Sequence, residues 1–100
     1  MYGYVGTMRT TAGNRDKVVS ILLSGVEGLR AAGCHLYLVS VSGTDPDLIH
    51  VTEAWDSKEH HDNSLKLPGT RAAIATAMPL LTGEFTSQEL TVVGGLGLSS

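Results

Sequence analysis

The sequence predicts an α+β domain with the element order β-α-β-β-α-β and a single antiparallel sheet. Three observations carry that prediction. A β-branched and aromatic opening segment precedes a segment of helical periodicity. Two further strand-like segments are joined by a turn sequence, and a last one follows an Ala-rich stretch.

Tyr2 to Thr10 has strand composition, and Ala12-Gly13-Asn14 breaks it. A helix is expected from about Asn14 to Leu29. Asn14 is a suitable N-cap, and Asp16 complements the positive end of the helix dipole. Val18, Ile21, Leu22, Val26 and Leu29 recur at helical spacing and define one apolar face. Gly33 ends the connection. Cys34 to Ser42 and Asp47 to Trp55 are strands two and three, with Gly43-Thr44-Asp45-Pro46 as a hairpin turn between them. Asp56-Ser57-Lys58-Glu59 has the D-x-x-E form of a capping box and opens a short helix. Pro68-Gly69 interrupts that helix. An Ala-rich piece, about Thr70 to Leu81, continues to Thr82-Gly83, with Pro79 near its end. Phe85 to Val93 is the last strand. This order is the split βαβ arrangement of ferredoxin-like folds. Residues 1–93 form the domain, and the Gly-rich residues 94–100 read as a flexible tail.

The strands carry apolar residues on both faces. His35, Tyr37, Val39 and Val41 alternate with Cys34, Leu36 and Leu38; Ile49, Val51 and Trp55 alternate with Leu48 and Ala54. Helices cover one face, and a face open to water alternates cleanly with polar residues. The second face therefore calls for a cover. In 100 residues the expected cover is a second copy, with Tyr37, Val39 and the last strand at the contact.

Composition narrows the function classes. The chain is 42% hydrophobic and 17% charged, with formal net charge -3, so it folds and lacks the basic surface that nucleic acid requires. No apolar run is long enough to span a bilayer. One cysteine, Cys34, allows no intrachain disulfide and fits a reducing compartment. The start, Met1-Tyr2-Gly3-Tyr4-Val5, lacks the basic and apolar regions of a secretory signal. The expected location is the cytoplasm. Walker, G-x-G-x-x-G and G-x-S-x-G sequences are absent.

The stretch from Thr52 to Ser64 resembles the E-x-W segment of antibiotic biosynthesis monooxygenase domains, with Glu53 and Trp55 as its fixed residues. The following helix carries the H-x-x-S pattern as His61 and Ser64. Gly33-Cys34 before the second strand and the segment from Pro68 to Ile74 are also similar to the family. The resemblance spans about residues 2–93. It implies a dimer whose sheets face each other as an α+β barrel, and a pocket between sheet and helices in each subunit. Some members oxygenate phenols or quinols without metal or flavin, others degrade haem, and others act on signalling molecules. Haem-degrading members use an Asn on the first strand; here that strand offers Thr7, Met8 and Arg9, which counts against haem. The implied activity is a cofactor-independent monooxygenase that takes O₂ and a small phenol- or quinol-type aromatic, with no cofactor and no metal. The alternative is a non-catalytic dimeric domain of the same fold that holds a small apolar metabolite.

Each candidate residue has two readings. Trp55 walls an aromatic pocket or packs helix on sheet. His61 is the candidate base, since an imidazole takes a phenolic proton near neutral pH, or it is an exposed helix histidine. His60 points about 100° away and is expected in solvent. A site built from His35, His50, His60 and His61 lacks the spacing of known zinc sites. Glu53 shares a face with Trp55; if buried it needs a partner, and it is either a substrate-binding group or a structural ion pair. Arg71 holds an anionic substrate or is a surface cation. Tyr37 brings a hydroxyl to the pocket or packs at the dimer contact. Ser64 joins the substrate-binding candidates through the family pattern.

Overall fold

The computed structural model describes residues 1–98. In chain order the elements are β1 (Tyr2–Thr10), α1 (Arg15–Leu23), α2 (Val26–Ala31), β2 (Cys34–Val41) and β3 (Leu48–Trp55). Then come α3 (Lys58–Ser64), α4 (Pro68–Ala77), a 3₁₀ turn (Met78–Leu80) and β4 (Leu81–Thr91). The sheet order is β2-β3-β1-β4, and every pairing is antiparallel. The ferredoxin-like arrangement predicted from the sequence is present, with each helical segment split in two. Residues 94–98 carry no helix or strand; the last two residues of the expected tail lie outside the described range. Among the described residues no helix is long and apolar enough to cross a membrane.

The helix expected from Asn14 to Leu29 breaks at Ser24-Gly25. Ser24 Oγ donates to the Ile21 carbonyl at 2.7 Å, and Gly25 adds a residue that loses much entropy in a helix. The cap of α3 is Ser57 rather than Asp56: Ser57 Oγ accepts from the His60 amide at 3.2 Å. Asp56 is instead held by His35, 2.5 Å away. Pro68 opens α4 rather than interrupting a helix, because the first turn needs no amide hydrogen from that residue. Thr82 and Gly83, expected to stop a helix, lie inside β4.

The core forms where α1 meets the sheet. Val18 packs on Ile49 and Val51, ringed by Met8, Leu22, Tyr37, Val39 and Leu80. Arg15 pins the β2–β3 turn to α1 by donating to the carbonyls of Ser42 and Asp45. Tyr37 and Val39 therefore belong to the helix-covered face, not to the open one expected for a dimer contact. A bulge between Cys34 and Leu36 sets Cys34 opposite Trp55, Leu36 opposite Ala54 and Tyr37 opposite Glu53, which breaks the simple alternation read from the sequence. On the open face, Leu38 is 51% and Leu90 is 45% exposed.

Candidate active site

β3 alternates, so Val51, Glu53 and Trp55 look toward the helices. The β1 register sets Tyr4 opposite Glu53 and Tyr2 opposite Trp55. Four polar or aromatic side chains thus gather at one end of the covered face, beside α3.

His61 completes the group. The Ser57 cap fixes the start of α3, and the helix turns His61 inward while His60 stays exposed. The His61 ring is buried, 7% exposed. It stacks on Tyr4 at 4.7 Å, tilts against Tyr2 at 5.3 Å and meets Trp55 edge-on at 5.7 Å. Its Nδ1 is 2.9 Å from Asp62 Oδ1, and its Nε2 is 3.9 Å from Glu53 Oε1. The second distance is an ion-pair approach, too long for a direct hydrogen bond.

Glu53 is buried and accepts a hydrogen bond from the Trp55 indole N–H at 3.0 Å. Burial raises its pKa above the ordinary carboxylate value; the Trp55 hydrogen bond and nearby His61 pull the other way. Burial also pushes the Tyr37 phenol up to about 12, so it keeps its proton at neutral pH.

A cleft of about 230 Å³ opens on this face, lined by Tyr4, Met8, Tyr37, Val51, Glu53 and Phe85, with Gly6 and the hydroxyl residues Thr7, Thr86 and Ser87 completing the lining. A Cβ on Gly6 would lie 2.9 Å from the Thr86 carbonyl oxygen, so glycine is needed for β1 and β4 to approach there. A larger depression, about 280 Å³, lies around Val5, Thr7, His50 and Thr52 on the open face. The smaller cleft is the stronger candidate because a buried carboxyl reaches it.

The candidates from the sequence are only partly brought together. Glu53 and Tyr37 line the cleft. Trp55 and His61 stand directly behind Glu53, outside the lining. His61, the candidate base, is neither exposed nor in the lining; it reaches toward the cleft only through Glu53, whose Oε1 is 3.9 Å from its Nε2. Ser64 is buried, but its Oγ donates to the His61 carbonyl at 2.6 Å, which closes the last turn of α3. Arg71 is exposed on α4 and is not part of the cleft. His35 pairs with Asp56 and His50 is exposed, so the histidines do not converge. Among the described residues no three His, Cys, Asp or Glu side chains are grouped to hold a metal ion. Sequence reasoning missed Tyr2, Tyr4 and Asp62. The available signal was the alternation of β1, which puts Tyr2 and Tyr4 on one face.

Comparison with known proteins fits this geometry. The antibiotic biosynthesis monooxygenase family matches residues 1–76. A solved structure of a candidate antibiotic biosynthesis monooxygenase from Chloroflexus aurantiacus is 42% identical, covers 98% of each chain and superposes with a TM-score of 0.88. Another such candidate, from Deinococcus radiodurans, is 26% identical over 100% of both chains, with a TM-score of 0.74. A third, from Caulobacter crescentus, shares the fold at 21% identity and a TM-score of 0.84, covering 93% of this chain and 90% of its own. No curated protein matches. With the family matching most of its length, the chain belongs to the antibiotic biosynthesis monooxygenase family.

Proposed function

We propose that the chain is a cofactor-independent monooxygenase of a small phenol- or quinol-type aromatic, working as a homodimer. The observation that carries this reading is the buried Glu53 carboxyl, backed by His61, on the wall of a cleft whose large side chains are aromatic or apolar and whose small ones, Thr7, Thr86 and Ser87, carry hydroxyls. Such a wall accepts a flat ring, and a buried acid–base pair removes a proton without competition from water. The substrate itself supplies the electrons. A ring methylene activated by a phenol loses a proton to the pair, and the resulting carbanion passes an electron to O₂. The radicals join as a peroxide, and loss of water leaves a carbonyl: R₂CH₂ + O₂ → R₂C=O + H₂O. Trp55 holds Glu53 in place, and Tyr37 offers a phenol donor to a substrate oxygen. The partner copy covers the open sheet face around Leu38 and Leu90.

The test is O₂ uptake by metal-stripped protein offered hydroquinones and anthrone-like phenols. Saturable uptake with one O₂ per product supports the enzyme reading. The second reading, a domain that binds a small apolar metabolite without chemistry, draws on the position of His61 outside the cleft lining. Saturable binding of the same panel with no O₂ uptake would establish it instead.

A further inference from the structure

We propose that Glu53, His61 and Asp62 act as one charge system, in which Glu53 is the group that meets the substrate and His61 and Asp62 are positioning residues behind it. The inference rests on the monooxygenase reading for its chemistry, but its geometry stands separately.

The three side chains run from the cleft outward. Glu53 lines the cleft, His61 is sealed behind it, and Asp62 is half exposed at the surface of α3. The His61 ring is held between Tyr4, Tyr2 and Trp55, so it cannot swing into the cleft without breaking three ring contacts. Asp62 Oδ2 also lies 3.4 Å from Lys58 Nζ. The hydrogen bond from His61, and then Lys58, hold the Asp62 carboxyl below its usual range, so it is ionised at neutral pH. An ionised carboxylate only accepts. In its neutral form His61 therefore carries its hydrogen on Nδ1, donated to Asp62, and its Nε2 lone pair faces Glu53. The groups facing Glu53 from the other elements are Tyr37 on β2, Tyr4 on β1 and Trp55 on its own strand.

The proton steps follow. The substrate C–H breaks and an O–H forms on the Glu53 carboxylate. That O–H passes its proton to His61 Nε2 once Glu53 shifts by about 1 Å, which brings the pair into hydrogen-bond range. The imidazolium is then stabilised by Asp62. After O₂ has added, the proton returns through Glu53 to the peroxide oxygen. The second C–H proton follows the same route to the departing hydroxide, which leaves as water, so no proton is gained or lost over the cycle.

The experiment pairs kinetics with ¹⁵N NMR of the imidazole. In wild type the neutral His61 is expected as the Nδ1–H tautomer. Asp62→Asn gives Nδ1 a carboxamide that can donate, so the Nε2–H tautomer should appear. With it kcat should fall by roughly 10-fold or more at unchanged KM, short of the roughly 10²–10⁴ that loss of a general base itself causes. Asp62→Glu should restore both readouts. Glu53→Gln should show the full loss in kcat. An Nε2–H tautomer in wild type, or wild-type kcat in Asp62→Asn, overturns the proposal. If wild type oxidises nothing in the panel, the monooxygenase reading fails, and the tautomer in wild type and Asp62→Asn still decides the charge system.

Discussion

The Trp55 indole and the His61 imidazole stand edge-on, their centroids 5.7 Å apart and their planes at 83°. Both rings border one carboxyl: Trp55 donates its N–H to Glu53, and His61 faces it through Nε2. A strand residue and a helix residue six positions apart thus support one buried acid.

That acid makes stability depend on pH. The folded-state pKa of Glu53 is raised by burial above its unfolded value. The native state therefore binds more protons than the unfolded state between the two values, and stability falls as pH rises through that window. Glu53→Gln removes the ionisation while its carbonyl still accepts from Trp55. The variant should melt higher than wild type at pH 8, and the gap should close below about pH 4, near the unfolded carboxylate value. A gap that is constant with pH would contradict a raised Glu53 pKa.

Trp55→Phe tests the same carboxyl from the donor side. It keeps most of the ring volume and removes the N–H. Leaving a buried acceptor unsatisfied costs about 1–3 kcal/mol. Because the lost hydrogen bond had favoured the ionised form, the deficit should widen as pH rises. Denaturant melts at pH 4 and pH 8 measure it; equal deficits would mean that packing alone is lost.

His60 and His61 should behave differently although adjacent. His61→Gln should lower kcat on an accepted phenol by about 10²-fold, and His60→Ala should leave it nearly unchanged. The exposed His60 ring bonds Ser57 Oγ at 2.6 Å and is not part of the cleft group. Melting curves for both variants guard against a folding defect. Equal losses of activity would remove the distinction drawn from the geometry.

Gly33 is needed for two separable reasons. Its φ of +101° is disfavoured for residues with a side chain, and a Cβ there would sit 2.8 Å from His60 Cδ2. Gly33→Ala should destabilise by roughly 1–2 kcal/mol for the backbone alone, and more with the clash. Adding His60→Ala should recover the clash portion only. Full recovery in the double variant would show that the backbone contributes nothing.

Much of this architecture was legible in the sequence. Strand composition, the Gly43 to Pro46 turn and helical periodicity gave the element order, and residue spacing gave the shared face of Glu53 and Trp55. The bulge at Cys34 to Leu36 was not legible, because a single inserted residue leaves composition unchanged while it shifts every side chain beyond it. That Tyr37 and Val39 lie on the helix-covered face is not legible either, because alternation groups residues by face without saying which face the helices cover. The position of Glu53 in front of His61 was hidden for another reason. It depends on where α3 sits across β1 and β3, and local pattern does not encode that distance.

The corrected faces sharpen the expectation of a dimer. Leu38 on β2 and Leu90 on β4 lie at opposite margins of the uncovered sheet face, each about half exposed. Between them run Val5, Thr52 and the buried Ala54. Half-exposed leucines on an uncovered sheet face are unfavourable in water and would be relieved by a second copy packed face to face. Wild-type protein at micromolar concentration should sediment as a dimer. Leu38→Arg places an unpaired charge at the β2 side of that contact and should shift the species to monomer. Tyr37→Ala, on the covered face, should lower stability without changing the oligomeric state in the folded fraction. A wild-type monomer would overturn the dimer. A Leu38→Arg dimer combined with a Tyr37→Ala monomer would return the contact to the other face.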